Sequence, residues 1–243
     1  MLYGLYTSGN GMRMQMRRQE VISNNLANSS TTGFKRNLFN VKEMGSENEY
    51  MGRIVSSKMN SHSEFGGPEI LSTRVSFDQG NLVNTENPLD MAIEGEGFFK
   101  LKNPTTGDLF YTRSGHFSVN NEGQLVNAEN GFLVLDQGDN PIALNEINGS
   151  IAEAVKVVSF KDLSALQKQE GTMFKLNKSK SGELLTELPV ASVVHSGFLE
   201  ESNTNSINEM VSMIEAHRAY QANASNLKQQ DDNLGSLISI ARS

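Results

Sequence analysis

Towards the carboxyl end, Met210, Met213, His217, Tyr220, Ala224, Leu227, Asp231, Leu234, Ile238 and Ala241 follow one another at steps of three and four, and all but His217 and Asp231 are apolar. That interval keeps one narrow apolar stripe on one side of an α-helix, the pattern of a helix that seats on another helix. Ser206, with Glu209 three residues later, predicts the start of the helix as a capping box, the serine oxygen taking an orphan backbone N–H while the glutamate reaches back. Gly235 is its weak point, costing about 1 kcal/mol relative to alanine.

The amino end repeats the interval less regularly, through Leu2, Leu5, Gly9, Met12, Met16, Gln19, Ser23 and Leu26, with Val21 and Ile22 beside the stripe. A helix is expected over residues 5–28, loosened at its start by Gly9 and Gly11. It then runs into "NSSTTGFKR", where Asn28 and the Ser-Ser-Thr-Thr run can satisfy helix-end backbone groups and Gly33 permits a positive φ that turns Phe34 away. Asn24 and Asn25 either bond across a subunit boundary, an amide offering both donors and acceptors, or stabilise their own turn.

Between the ends the period changes. All 5 prolines lie between residues 68 and 189, and 11 of the 21 glycines fall between Gly66 and Gly149. Short apolar runs such as "DMAIEG", "GFFKLK" and "LFYTR" alternate with the turn signals "NPTTGD", "NNEG" and "NAENG", which predicts a mainly antiparallel β domain. "VKVVSF" and "TMFKL" add strands around a helical turn at "DLSALQ", and "PVASVVHSGFLE" leads back to the last helix. Residues 44–64, polar and rich in serine, glutamate, asparagine and methionine, read as an extended connector.

The expected class is therefore α+β: terminal helices that pair as a coiled-coil-like domain, with a mainly antiparallel β domain inserted between them. Its parts are residues 1–36 (helix and exit), 37–65 (connector), 66–199 (β domain) and 200–243 (second helix). Two helices with narrow stripes cannot close a core alone; they need each other or copies of themselves. Charge agrees, since residues 1–36 hold five bases against one acid while residues 200–243 hold six acids against three bases.

Composition trims the remaining classes. A net charge of −7 argues against nucleic acid, whose binders carry a basic face. No run approaches the roughly 18 apolar residues of a membrane span, so no membrane insertion is expected. The opening lacks the basic-then-apolar order of a cleaved signal peptide. With no cysteine, disulfides and thiolate chemistry are excluded.

Four strings, "ISNNLANSSTTGFKR" (22–36), "NPLDMAIEGEGFFKL" (87–101), "YTRSGHF" (111–117) and "GFLEESNTNSINEMVSMIEAHRAY" (197–220), resemble the bacterial flagellar basal-body rod and hook proteins, in the family's order and over nearly the whole chain. The resemblance implies terminal helices in the inner layer of a tubular axial assembly and an outer β-rich layer. It also implies partners that are copies of the chain and other rod and hook proteins, delivery through the flagellar type III export apparatus without a cleaved leader, and a periplasmic place in the basal body. The chain's length suits a rod subunit rather than a hook subunit, the proximal rod in preference to the distal. The residues expected at the assembly interface are Leu5, Met12, Met16, Ile22, Asn24, Asn25, Leu26, Met210, Met213, Tyr220, Leu227, Leu234 and Ile238.

Catalytic and cofactor motifs are not found. His62, His116, His195 and His217 have no metal-ligand spacing. "EGEGFF" lacks the third glycine and following helix of a dinucleotide loop, and "NNEGQL" and "DQGDN" lack a complete calcium ligand series. No G-x-S-x-G elbow is present, and Asp231 and Asp232 are neighbours on a solvated helix rather than a poised pair. A non-enzymatic structural subunit with no cofactor and no metal is expected. The rivals are a secreted adhesin with a helical stalk, which predicts ligand binding by residues 66–199 alone, and a wall-cleaving hydrolase, which requires a converging carboxylate pair.

Overall fold

The computed structural model describes residues 2–43, 68–146, 151–160, 162–169, 171–176, 187–189 and 192–242. Their contacts divide into a unit of residues 1–27, 37–75 and 205–243 and a unit of residues 28–36 and 76–204. The helices are α1 (Leu2–Ala27), the single turn α2 (Ile151–Ala154) and α3 (Ser206–Arg242).

In the first unit α1 packs on α3. The approaches of Asn25 to Glu209, Arg18 to Glu215 and Gly11 to Asn223 descend α3 as they climb α1, so the two helices run antiparallel. At Gly11 a Cβ would stand 2.9 Å from the Asn223 amide nitrogen. A side chain at this position would require the Asn223 amide to move aside. Strands β1 (Asn37–Glu43) and β2 (Pro68–Val75) pair antiparallel beside them, with an irregularity between Asn40 and Val41. The expected boundaries after residues 36 and 65 are thus drawn elsewhere: residues 37–43 and 68–75 form a ladder that belongs with the helices, and residues 28–36 belong with the β unit. The connector expected over residues 44–64 lies outside the described residues.

Helix α3 is capped by Asn205 rather than by Ser206. The Asn205 side-chain oxygen accepts from the N–H groups of Ile207 and Asn208, and its carbonyl takes the Glu209 N–H. Glu209 does not reach back to the cap. It is buried, 3.5 Å from the Asn25 amide.

The second unit is antiparallel throughout its described strands. Strands β5 (Phe98–Lys102) and β6 (Leu109–Thr112) form the hairpin that "NPTTGD" predicts, with Leu101 opposite Phe110. β7 (Phe117–Val119), β8 (Leu125–Asn127) and β9 (Leu133–Val134) follow at the predicted turns. β10 (Val157–Phe160), β11 (Leu166–Lys168), β12 (Met173–Leu176) and β13 (Glu187–Pro189) complete the sheet, in which β11, β12, β6, β5, β9, β8 and β7 lie in that order and β10 joins β5 to β13. Two small ladders, β4 (Met91–Glu94) with β14 (Val193–Ser196) and β3 (Leu82–Asn84) with β15 (Phe198–Glu200), stand off this path. Met91, Ile93, Phe99, Leu101, Phe117 and Leu125 centre the core. Central β5 is buried from Phe98 to Leu101, so Lys100 also leaves solvent and its ammonium meets Asp139 at 2.9 Å.

Candidate assembly surface

The stripe that α3 turns towards α1 is only in part the expected apolar one. Glu209, Met213, Ala216, Tyr220, Asn223, Leu227, Gln230 and Leu234 are buried or half-buried, still at heptad steps. Met213, Tyr220, Leu227 and Leu234 were expected there. Met210, His217, Asp231 and Ile238 were expected as well but face outward, displaced by the neighbouring Glu209, Ala216, Asn223 and Gln230. α1 is rotated in the same sense: Met12, Gln19 and Leu26 are half-buried, while Gln15 and Ile22 are buried in place of exposed Met16 and Ser23.

The physical reason is size and partnership. Ser8, Gly11 and Ala216 let the helices approach, and Asn25 and Glu209 bring polar groups that meet each other. Polar atoms are left over, since Gln15 Oε1, Gln19 Nε2 and Gln230 Oε1 are buried without a hydrogen bond among the described residues. A seam in which small and amide side chains alternate with Met213, Tyr220, Leu227 and Leu234 excludes less apolar surface from water than a fully apolar one and stabilises correspondingly less.

Outside the seam the two helices remain oily. Ile207 (71% exposed), Met210, Val211 and Ile214 (54%) lie at i, i+3, i+4 and i+7, one face of the first turns of α3. Near its other end Leu237, Ile238 and Ile240 (69%) are exposed as well. In the antiparallel register this stretch lies past the first residues of α1, so the pair does not cover it. Met16, 50% exposed, is the apolar counterpart on α1.

The expected interface set therefore splits. Met16, Asn24, Met210 and Ile238 face outward, whereas Ile22 and Asn25 are buried within their own chain, and Met12, Leu26, Met213, Tyr220, Leu227 and Leu234 lie half-buried. Leu5 belongs to α1, but its side chain is outside the described residues. Of the two roles open to Asn25, its bonds within the chain are the local one. Its amide exchanges two 2.9 Å hydrogen bonds with the backbone N–H and carbonyl of Asn37, as a neighbouring strand would. Asn24 accepts from the Asn37 side chain at 3.0 Å and stays exposed.

In the second unit, sequence reasoning missed a buried ion cluster. Gly33 has φ of +67°, as expected of a helix exit, and any Cβ there would overlap the backbone nitrogen of Ser114. The turn delivers Phe34 and Lys35 into the interior, each 1% exposed. Lys35 Nζ meets Glu200 Oε1 at 2.6 Å and donates to the Asp78 carbonyl at 2.7 Å. Glu200 Oε1 also accepts the Gly80 N–H, and its carbonyl takes the Gly33 N–H. Arg113 stands 3.5 Å from Glu200 Oε2 and donates to the carbonyls of Ile93 and Gly95. Asn203 completes the arrangement, accepting from Arg36 N–H and donating to the carbonyls of Ser76 and Asp78.

Burial pushes the Lys35 ammonium and the Arg113 guanidinium below their ordinary pKa values, and Glu200 pulls both the other way. Lys168, from β11, lays its ammonium 3.6 Å over the centre of the Phe34 ring and donates to the Lys35 carbonyl at 3.0 Å, and burial lowers its pKa to about 8. The signal for this cluster was present in the four strings. Gly33 to Arg36, Ile93 and Gly95, Arg113 and Ser114, and Glu200 and Asn203 each come from a different one, and all meet here.

Comparison with known proteins follows that order. Residues 5–35 match the family described as "Flagella basal body rod protein", residues 92–161 the "Flagellar hook protein FlgE/F/G D1 domain", and residues 195–240 the "Flagellar basal body rod FlgEFG protein C-terminal". The chain is 30% identical over 267 positions to the flagellar basal-body rod protein FlgG of Buchnera aphidicola from Acyrthosiphon pisum, covering 99% of this chain and all of that protein. Among other relatives, it is 28% identical to FlgG of Caulobacter vibrioides over 260 positions, 96% of this chain and 97% of that one. It is 30% identical to FlgF of the same organism over 231 positions, 88% of each.

Proposed function

The chain belongs to the flagellar basal-body rod protein family, whose members are structural rather than enzymatic, and from that premise we propose that its helix pair is completed only by neighbouring subunits of the rod. The observation that carries this reading is the rotation of both helices, which places amides and small residues in the internal seam and leaves Met16, Ile207, Met210, Val211 and Ile214 in water. Covering such residues contributes about 25 cal/mol per Å². Within one chain that contribution is forgone; between chains it drives assembly.

The heptad spacing of the seam supports coiled-coil-like pairing of α1 with α3, with the outward residues Met16, Asn24, Met210 and Ile238 of the expected set in contact with neighbours. Met12, Leu26, Met213, Tyr220, Leu227 and Leu234 serve as the partly covered margin, and Leu5 belongs to the same interface. The tube built in this way transmits torque through its helices while the β units form the outside. A subunit of this kind reaches its periplasmic site through the flagellar export apparatus.

Deleting residues 207–243 tests the reading. Incorporation into basal bodies is expected to cease while the β unit remains folded, and normal rods from the truncated chain would refute it. The proximal rod is the first assignment, supported by similarity to an FlgF protein. The number of relatives named FlgG favours the distal rod as the second reading. Immunogold labelling of isolated basal bodies separates the two.

A further inference from the structure

In the second unit a cleft of about 330 Å³ opens between Phe77, Phe98 and Phe160, with Arg113 at its base. The aromatic walls are ordered against one another, Phe77 edge-on to Phe98 at 5.6 Å and Phe98 tilted to Phe160 at 6.2 Å between ring centres. Arg113 faces Glu200 and donates to two backbone carbonyls, and the Glu96 carboxylate adds a weaker attraction to its charge. The described rim charges, Asp78 and Glu96, are both carboxylates and both exposed. Such a cleft suits a polarisable apolar side chain carried between two cations.

One exposed face of the chain has that chemistry. Arg13, Met16 and Arg17 lie at i, i+3 and i+4 on α1, all exposed. Among the described residues Arg17 pairs with Glu20, an exposed contact at 2.7 Å worth about 0 to 1 kcal/mol and readily exchanged. Arg18, by contrast, is turned towards Glu215 on α3. The other oily face, from Ile207 to Ile214 on α3, brings one base, Arg218, beside the acid Glu215 and so answers two rim carboxylates less well.

We propose that the cleft between Phe77, Phe98 and Phe160 receives Met16 of a second copy of this chain, with Arg13 and Arg17 of that copy set against Asp78 and Glu96. The contact rests on the rod reading, and it is heterologous: a helix of one subunit enters the β unit of the next, so repetition builds an open series rather than a closed dimer.

The chain has no cysteine, so a disulfide between introduced cysteines reports one contact alone. Two chains, one carrying Arg17→Cys and the other Glu96→Cys, are co-expressed, and basal bodies are isolated and oxidised. A reducible two-chain band is expected from the mixture and from neither variant alone. In a second arm, Arg17→Glu lowers incorporation at least tenfold and Glu96→Arg in the same chain restores it. Rods that contain both cysteine variants without the band, or that accept Arg17→Glu at the normal level, overturn the docking contact while leaving the rod reading intact. A band between Glu96→Cys and Met210→Cys in place of Arg17→Cys assigns the cleft to α3 and overturns it equally. If the unaltered chain is absent from basal bodies, the rod reading fails and takes the contact with it.

Discussion

Lys35 and Glu200, 165 positions apart, meet as a buried ion pair at 2.6 Å, and each is 1% exposed. Breaking such a pair by removing one member leaves a charge without its counterpart and costs about 3–5 kcal/mol. The two members are not equivalent. After Lys35→Met, Glu200 still faces Arg113, whereas after Glu200→Gln two cations remain buried together. Urea unfolding of the intact chain is expected to show the larger loss for Glu200→Gln, and equal losses would contradict the arrangement.

Gly33→Ala combines two penalties. The positive φ disfavours any side chain by about 1–2 kcal/mol, and the added carbon meets the Ser114 backbone rather than a side chain that can move aside. A loss above about 2 kcal/mol is expected by thermal or urea unfolding. Gly235→Ala, at an exposed helix position with open space around it, is expected to stabilise instead.

The cap makes a local prediction. Asn205→Ala removes the acceptor of the Ile207 and Asn208 N–H groups and is expected to cost about 1 kcal/mol. Ser206→Ala is expected to be nearly neutral. Helical content and unfolding midpoint of the two variants check the order, which the capping box would invert.

Lys168 sets a pH dependence. Its pKa is about 8 in the folded chain and near 10.5 when unfolded, so between those values the unfolded chain binds the additional proton. By this group, stability rises with pH across that window and is flat below it. The advantage of the unaltered chain over Lys168→Met, followed by urea midpoints from pH 7 to 10.5, is expected to grow as pH increases.

Ile207→Asn with Ile214→Asn separates folding from assembly. Both side chains are exposed, so the isolated chain is expected to keep its stability within about 0.5 kcal/mol. Incorporation into basal bodies is expected to be lost. A large fall in stability would show that the face is covered within the chain.

Periodicity revealed both helices and most strands, because each rests on a local pattern: heptad steps at the ends, and turn clusters such as "NPTTGD" and "NNEG" in the middle. The rotation of the seam was not legible. α3 is apolar on more than one side, and a periodicity read alone selects Met210 and Ile238 because they are oily. Asn223 is taken instead because α1 comes close to it at Gly11, a fact of packing between segments more than two hundred residues apart. The cluster around Glu200 was hidden for a related reason. Lysine, arginine and glutamate are read as solvated until topology removes them from water, and no window along the chain contains Lys35, Arg113 and Glu200 together.

That separation also sets a clock. A ribosome adding about 5–20 residues per second needs on the order of ten seconds to move from Lys35 to Glu200. Throughout that interval the lysine has been made and its carboxylate has not. Whatever receives the nascent polypeptide thus meets a thread whose keystone is missing, still pliant enough to be passed onward before it locks.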